Sequence, residues 1–297
     1  MSVAALLGAL ELGLIYAVMA LGVFISFRTL NTPDLTVDGS FVLGAAVAAV
    51  LISEGGNPYL AMLAAFAAGL LAGCVTALLN TRLGIQPLLA GILVMLALYS
   101  VNLRVMDGRA NIPLIDKPSL YRLFSGVLPE GTDTLACAFL VIVLIVFLLY
   151  LFLQTRLGFA LRATGDNEVM VRACGIDSNK MKLLGLALSN GLVAASGSMI
   201  AQYQSYADVG MGLGMVVIGL ASVIIGEVVF GTRPLWRRLA AVVLGSVLYR
   251  VVIAVALDLG MPATDLKLIS AVIVTVALSA GGVRKMLARQ AQRLPGK

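Results

Sequence analysis

Few charged or strongly polar side chains interrupt the apolar runs of this chain, and the chemistry open to it follows from them. Asp34, Thr36, Asp38 and Ser40 fall within one ten-residue stretch that begins at Asn31. Glu11, Glu227 and Arg250 each stand alone in apolar surroundings. There is no histidine, which excludes Ser-His-Asp catalysis, zinc-protease motifs and histidine proton relays. Neither a Ser-Lys pair nor a pair of aspartates recurs deep in neighbouring apolar runs, so an intramembrane enzyme is not indicated. Cys74 and Cys137 lie in apolar runs and Cys174 in a central loop, at spacings that suggest neither a disulfide framework nor a metal site. Gly281-Gly-Val-Arg-Lys285 lacks the frame of a phosphate-binding loop, so any ATP hydrolysis belongs to another chain. No enzyme activity, metal or cofactor is therefore expected.

Those residues have to be positioned by membrane helices. The chain has 297 residues, of which 60% are hydrophobic and 12% charged. Several apolar stretches reach or approach the ~20 residues that span a ~30 Å hydrocarbon core. The fold class is therefore an all-α polytopic membrane protein with eight to ten transmembrane helices, read as one transmembrane domain over 1–297. Nine candidate spans lie near 4–27, 36–53, 58–80, 84–104, 133–153, 183–203, 212–230, 236–257 and 263–281. The N-terminal residues lack the positive region and cleavage site of a signal peptide, so the first span is expected to be retained.

Alternate loops differ sharply in charge. One set, with the C-terminal tail, carries 15 of the 21 basic residues, among them Arg28, Arg82, Arg156, Arg162, Arg172, Lys180, Lys182, Arg237 and Arg238. The other set holds mostly acids. The positive-inside rule then places the C-terminus in the cytoplasm and the N-terminus outside. The net charge of +6 reflects this topology and does not point to nucleic acid. The stretch 105–132 is the longest external loop, either a docking face with a short surface helix or a simple connector.

Thr32 as cap, Pro33 at the first helical position and Asp34 in the first turn read as the start of the second helix. Polar groups at a helix start near the membrane are a feature of broken transporter helices, whose ends face a substrate cavity; an ordinary capped helix accounts for them equally well. A second polar stretch, from Gln202 and Gln204 to Gly214, could be re-entrant, since non-helical backbone at membrane depth is tolerated where protein shields it or water fills a cavity. Asn190 and Ser189, Ser196 and Ser198 of the preceding span either line the same cavity or form interhelical hydrogen bonds. The candidate pathway is thus Asn31, Asp34, Thr36, Asp38, Ser40, Asn190, Gln202 and Gln204. Glu11 and Arg250 lie at similar depth and are expected to pair; Glu227 would snorkel or meet the Arg233–Arg238 cluster. Gly69-x-x-x-Gly73 and Gly210-x-x-x-Gly214 have helix-packing spacing.

The longest basic interruption is the loop at about 154–182. Gly165-Asp166 followed by Glu168 reads as a helix start and Gly175 as its stop, leaving about nine residues or ~13 Å of helix. Val169 with Ala173, and Met170 with Cys174, form one apolar face at i,i+4. Asp177 or Ser178 then caps the next long helix. Either another protein or the lipid surface would cover that face.

With these stretches in view, the chain resembles the permease subunits of bacterial ABC importers for branched-chain amino acids and ribose-type sugars. Thr155-Arg156-x-Gly158, Ala163-x-Gly165-x-Asn167-Glu168, Arg172, Gly175-Ile176 and Lys180-x-Lys182 carry the resemblance, as does Asp34-Leu-Thr-Val-Asp-Gly-Ser40, in which Asp38 is an extra residue against the sugar-permease pattern. The style of the chain looks most like a branch associated with tryptophan or tyrosine uptake; sugars and nucleosides are the alternative solutes, and an ion-coupled carrier the alternative mechanism. The resemblance implies a multi-pass protein of the bacterial inner membrane that works as a homodimer or paired permease. Two cytoplasmic ATPase subunits and an extracytoplasmic solute-binding protein would be its partners. It also implies that residues 167–176 couple to the ATPase, with Val169, Met170, Ala173 and Cys174 as apolar anchors, Glu168 and Arg172 at the rim, and Asn167, Gly175 and Ile176 framing the helix.

Overall fold

Backbone N–H and C=O groups in a bilayer have no water to bond, so an apolar chain satisfies them by forming helices. The computed structural model describes residues 3–121, 133–231 and 233–262, together with 268, 271, 272 and 275. Its helices are α1 (Val3–Val23), continued by a π-helical turn over Phe24–Thr29, then α2 (Thr36–Ser53), α3 (Pro58–Thr81), α4 (Pro87–Val105), α5 (Asp133–Gln154), α6 (Arg156–Asp166), α7 (Glu168–Ala173), α8 (Ser178–Gln204), α9 (Met215–Phe230) and α10 (Leu235–Asp258). Local chemistry sets several boundaries. Pro58 and Pro87 open their helices, where a missing N–H is harmless, and the Asn57 side chain accepts from Tyr59 N.

Seven described helices are long and apolar enough to cross a membrane. They coincide with seven of the nine spans read from the sequence. α9, with 16 residues, is shorter, and the ninth span lies outside the described residues apart from four helical positions. The basic tail and Arg122, Gly126, Pro129 and Glu130 of the long loop also lie outside them.

α8 occupies the middle, against α1, α2 and α3. Its neighbours come close because they present no side chain at the contact. A Cβ on Gly69 or Gly73 of α3 would collide with the carbonyl oxygens of Asn190 and Leu186, and one on Gly44 of α2 with that of Ala194. Small-residue contacts of this kind are how helices associate where no hydrophobic drive exists between them. The pair Gly210 and Gly214 does something else. Both lie in the non-helical segment 205–214, where Gly214 has φ +87, so their spacing reflects a turn and not helix packing.

One end of the bundle is closed by a two-stranded antiparallel ribbon, β1 (Asn111–Pro113) with β2 (Tyr206–Asp208), in the register Ile112 to Ala207. The long loop thus pairs with the chain just after α8, and Gln202 Oε1 accepts from Leu120 N at 2.8 Å. The opposite end carries α6 and α7. α3, α4 and α5 turn leucines and phenylalanines outward, including Leu63, Leu71, Leu96, Phe139 and Phe147. This exterior suits hydrocarbon.

The isolated charges find partners that their depth did not reveal. Glu11 and Arg250 are not ion-paired: Tyr203 Oη donates to Glu11 at 3.0 Å, and Arg250 stands 3.8 Å over the Tyr16 ring. α1 turns Glu11 toward α8, while Arg250 reaches a residue more than one turn farther along α1, so shared depth did not mean a shared face. Glu227 does meet the basic cluster. Its carboxylate lies 2.6 Å from Arg28 and 3.0 Å from Arg238, tying the π-helical turn to α9 and α10.

Replacing Gly44 by valine should overpack the α2–α8 contact and destabilise the protein by about 1–3 kcal/mol. Thermal melts in detergent check this, with Leu71→Ala on the outer face expected to stay near wild type.

Candidate functional site

A polar cluster forms at the joint between α1 and α2. Helix α1 ends in its π turn, Asn31 adopts φ +52, and residues 31–35 are not helical. α2 therefore begins at Thr36, three residues later than the Thr32–Pro33 cap predicts. The reason is Asp34, whose Oδ1 accepts from Thr36 N at 2.8 Å and so caps the helix from outside it. Asp34 is 1% exposed. Its Oδ2 accepts from Asn190 Nδ2 at 2.7 Å, and Ser40 Oγ donates to Asn190 Oδ1 at 2.7 Å. Thr36 Oγ1 lies 2.8 Å from Thr76 Oγ1 of α3. One buried network thus fastens the joint to α2, α3 and α8.

Asp38 points the other way. It accepts from Gly214 N at 3.0 Å and Val216 N at 2.8 Å, the free amides at the start of α9. Gly214 has no side chain to cap that helix, so a carboxylate from α2 does it. The segment 205–214 runs without helix from the ribbon to Asp38, with Ala207, Val209 and Gly212 buried and Tyr206 and Leu213 exposed. Beside it lies a recess of about 140 Å³, bounded by Asp38, Val42, Met95, Tyr99, Asn102 and Leu213. Asn102 Nδ2 donates to Gly39 O at 3.2 Å, while its Oδ1 is buried without a partner.

The second constellation is the elbow of α6 and α7. Thr155 caps α6, accepting from Gly158 N at 3.2 Å, and Asn167 caps α7, accepting from Met170 N at 3.0 Å. Helix α7 has six residues and begins at Glu168, with α6 filling the preceding residues that the sequence leaves unassigned. Gly175 ends α7 at φ +80, and Asp177 caps α8. Glu168 and Arg172 both reach Ser178 at the start of α8, Glu168 half-buried and Arg172 still exposed. Glu168 accepts from Arg172 at 2.6 Å, from Ser178 Oγ at 3.0 Å and from Lys182 Nζ at 2.8 Å. The Lys182 hydrogen bond is the main reason its carboxyl is held below the usual carboxylate range. Val171 is buried in the elbow, whereas Val169 and Met170 are 79% and 60% exposed. Ala173 and Cys174 are exposed beside them. The tip is apolar and uncovered, and Glu168 and Arg172 beside it also tie α7 to α8.

Comparison with known proteins gives this arrangement its frame. The family model described as the permease component of branched-chain amino acid transport systems matches residues 5–278. The chain belongs to that family. It is 43% identical to the tyrosine transport system permease protein of Clostridioides difficile over 284 residues, covering 96% of this chain and 94% of the relative. It is 29% identical to the ribose import permease of Escherichia coli, covering 71% and 65%, and 26% identical to a branched-chain amino acid permease of Methanocaldococcus jannaschii, covering 74% and 72%. A solved structure of a metal-chelate type ABC transporter in an inward-facing conformation superposes with TM-score 0.50 at 16% identity, covering 95% of this chain and 85% of that one, and shows the shared fold.

This permease is therefore a subunit of an ABC transporter, a multi-pass protein of the inner membrane and not itself an enzyme. Among the residues predicted for its pathway, Asp34, Thr36, Ser40 and Asn190 come together in the buried network. Asp38 faces α9, and Asn31 is exposed at the joint. Gln202 anchors the long loop at the ribbon end, with Gln204 exposed next to it. Thr76, Tyr99 and Asn102 escape a reading by isolated charge, because one hydroxyl or amide in an apolar run has no distinctive spacing.

Removing the Asn190 amide leaves a buried carboxylate short of a donor. Asn190→Leu is expected to cost about 2–4 kcal/mol, read as a lowered Tm in detergent. For the elbow the pH dependence follows from the lowered carboxyl: Glu168 contributes its stability in full above about 4.5, its ordinary value, and loses it as pH falls through the lowered one. Amide exchange across 167–178 should thus be constant from neutral pH to about 5 and quicken below its ordinary value, after correction for intrinsic rates.

Proposed function

We propose that this chain is the membrane subunit of an ATP-driven importer for an amino acid, aromatic or branched-chain, handed over by an extracytoplasmic binding protein. A separate pair of ATPase subunits would supply the drive, acting on two permease copies or a permease pair. The observation that carries the coupling half is the uncovered tip of Val169, Met170, Ala173 and Cys174 on a helix capped at both ends and locked to α8. An apolar knob held that rigidly fits a groove in another protein. The excess of basic residues at that end supports a cytoplasmic elbow and C-terminus, with the N-terminus outside and a ninth span completing the single domain.

The solute class rests on the 43% identity to a tyrosine permease and on the recess beside Asp38. Its walls are apolar, with Tyr99, Met95 and Leu213, and it carries one carboxylate. That suits a solute with an ammonium group and an apolar side chain better than a polyhydroxyl sugar, the class named for the ribose relative. Within this reading Asp38 borders the pathway, while Asp34, Thr36, Ser40 and Asn190 hold the joint that must move.

In proteoliposomes containing the permease with its ATPase and binding protein, labelled tyrosine or leucine should be taken up in preference to ribose. Uptake of ribose alone would sink the amino-acid reading. Val169→Asp with Met170→Asp should lower uptake at least tenfold while leaving the Tm of the permease unchanged; normal uptake would remove the elbow from the drive.

A further inference from the structure

Helix α5 stands away from α3 and α8. It packs on α1, α6 and α10, and between it and the α3–α8 pair runs a cleft of about 450 Å³. Its walls are Met62, Phe66 and Leu70 of α3, Leu148 and Phe152 of α5, and Leu188 of α8, with further leucines and alanines between them. The α5 wall from Leu144 to Phe152 is about 12 Å long at 1.5 Å per residue. That is most of one leaflet of a ~30 Å hydrocarbon core.

Three physical limits narrow what can fill it. Water in a cavity needs two to four polar partners, and this lining offers essentially none. A helix from another chain is a stiff cylinder about 10 Å across with its side chains, whereas an acyl chain is thin and flexible enough to follow the irregular wall between α3, α5 and α8. Leu63, Leu144 and Leu148 on its lips are exposed, so the cleft opens onto the surface that faces hydrocarbon. At the end nearest the elbow stands a cation. Arg162 reaches back over the α5–α6 corner, donating through Nη2 to Leu153 O at 3.0 Å and stacking 4.4 Å over Phe159. Its Nε has no partner, and no carboxylate among the described residues forms an ion pair with it.

We infer that this cleft holds one acyl chain of a phospholipid from the leaflet on the elbow side, with the phosphate met by Arg162. The lipid fills the space between α5 and the α3–α8 pair, and it brings an anion to a guanidinium that no described carboxylate pairs with. Hydrocarbon satisfies the apolar walls, and the phosphate satisfies the cation at their end. Nothing in this depends on which solute the permease carries.

Lipid retention tests it on the full chain. After purification in mild detergent and extensive washing, native mass spectrometry should find about one phospholipid per chain. Ala187→Trp, which fills the cleft, should cut that about tenfold, and Leu71→Trp, on an exposed face of α3 outside the cleft, should leave it unchanged. If Ala187→Trp fails to give a monodisperse protein, Leu148→Trp on the exposed lip serves instead. Arg162→Gln should weaken rebinding of added phosphatidylglycerol about fivefold and leave dioleoylglycerol, which lacks the phosphate, unaffected. Absence of retained phospholipid in the wild type, or equal retention after the cleft is filled, would overturn the assignment. So would efficient disulfide formation between two copies carrying Leu148→Cys in native membranes, which would make a second copy the occupant.

Discussion

A carboxylate taken out of water with no cation beside it has to be met by hydrogen-bond donors, and Asp34 sets that condition at the centre of this bundle. The donors come from places that must then stay together: the backbone of Thr36 and the side chain of Asn190. Each donor has a further tie. Asn190 also donates to Leu186 O and accepts from Ser40, and Thr36 meets Thr76 on α3. The glycines of α3 are the geometric side of the same constraint. Gly69 and Gly73 rest against the α8 carbonyls at Asn190 and Leu186, so the helix that supplies the amide is held at the one distance at which Thr76 reaches Thr36. Polar satisfaction and close packing here are one requirement.

The elbow and the joint are physically continuous. Gly165, at the end of α6, lies directly against the carbonyl of Thr29, so no larger residue fits there, and Thr29 is the last residue of the π-helical turn. α7 is fixed to the base of α8 through Glu168, Ser178 and Lys182. Under the proposed coupling role, a displacement of the elbow would reach both the end of α1 and α8, and the chain beyond α1 meets α8 again at Asp34 and Asn190. A π-helical turn is a plausible place for α1 to yield, because its ladder is already widened and its hydrogen bonds redirected, with Leu30 N on Ile25 O and Thr32 N on Ser26 O. The clamp of Arg28, Glu227 and Arg238 opposes that yielding from the side of α9 and α10.

The seven long membrane helices were legible in the sequence, though α6 was not, and so were the devices that depend only on neighbouring residues. Hydropathy over ~20 residues fixes a span whatever packs on it, Gly175 marks the end of α7 through its own φ, and Asp177 caps α8 two residues away. Contacts between helices were legible only in part. Gly69 and Gly73 signalled tight packing, yet the same spacing at Gly210 and Gly214 marked a turn, because glycine serves both uses and spacing does not say which. The start of α2 was misplaced for a related reason. Thr32, Pro33 and Asp34 make a good local cap, but Asp34 is drawn to Asn190, 156 residues away, and the helix starts where that contact permits.

Four further ionisable groups, besides Asp34, show how far a sequence can carry an electrostatic argument. Depth, which follows from counting residues, tells which groups need compensation; the helical angle, which is not fixed by counting, tells what provides it. Glu227 is matched by two arginines, Glu11 by a tyrosine hydroxyl, Arg250 by an aromatic face, and Asp38 by two amides of a helix that has no cap of its own. Asp38 is the most telling. Near the start of α2 it could have faced any side of the helix, and its position is settled by α9, whose N-terminal amides need an acceptor that Gly214 lacks. The glycine that lets segment 205–214 turn back toward the bundle is thus also the reason an acid is required on α2. Removing the Asp38 carboxylate would leave the backbone amides of Gly214 and Val216 without their acceptor, so the acid on α2 and the start of α9 form a single structural unit.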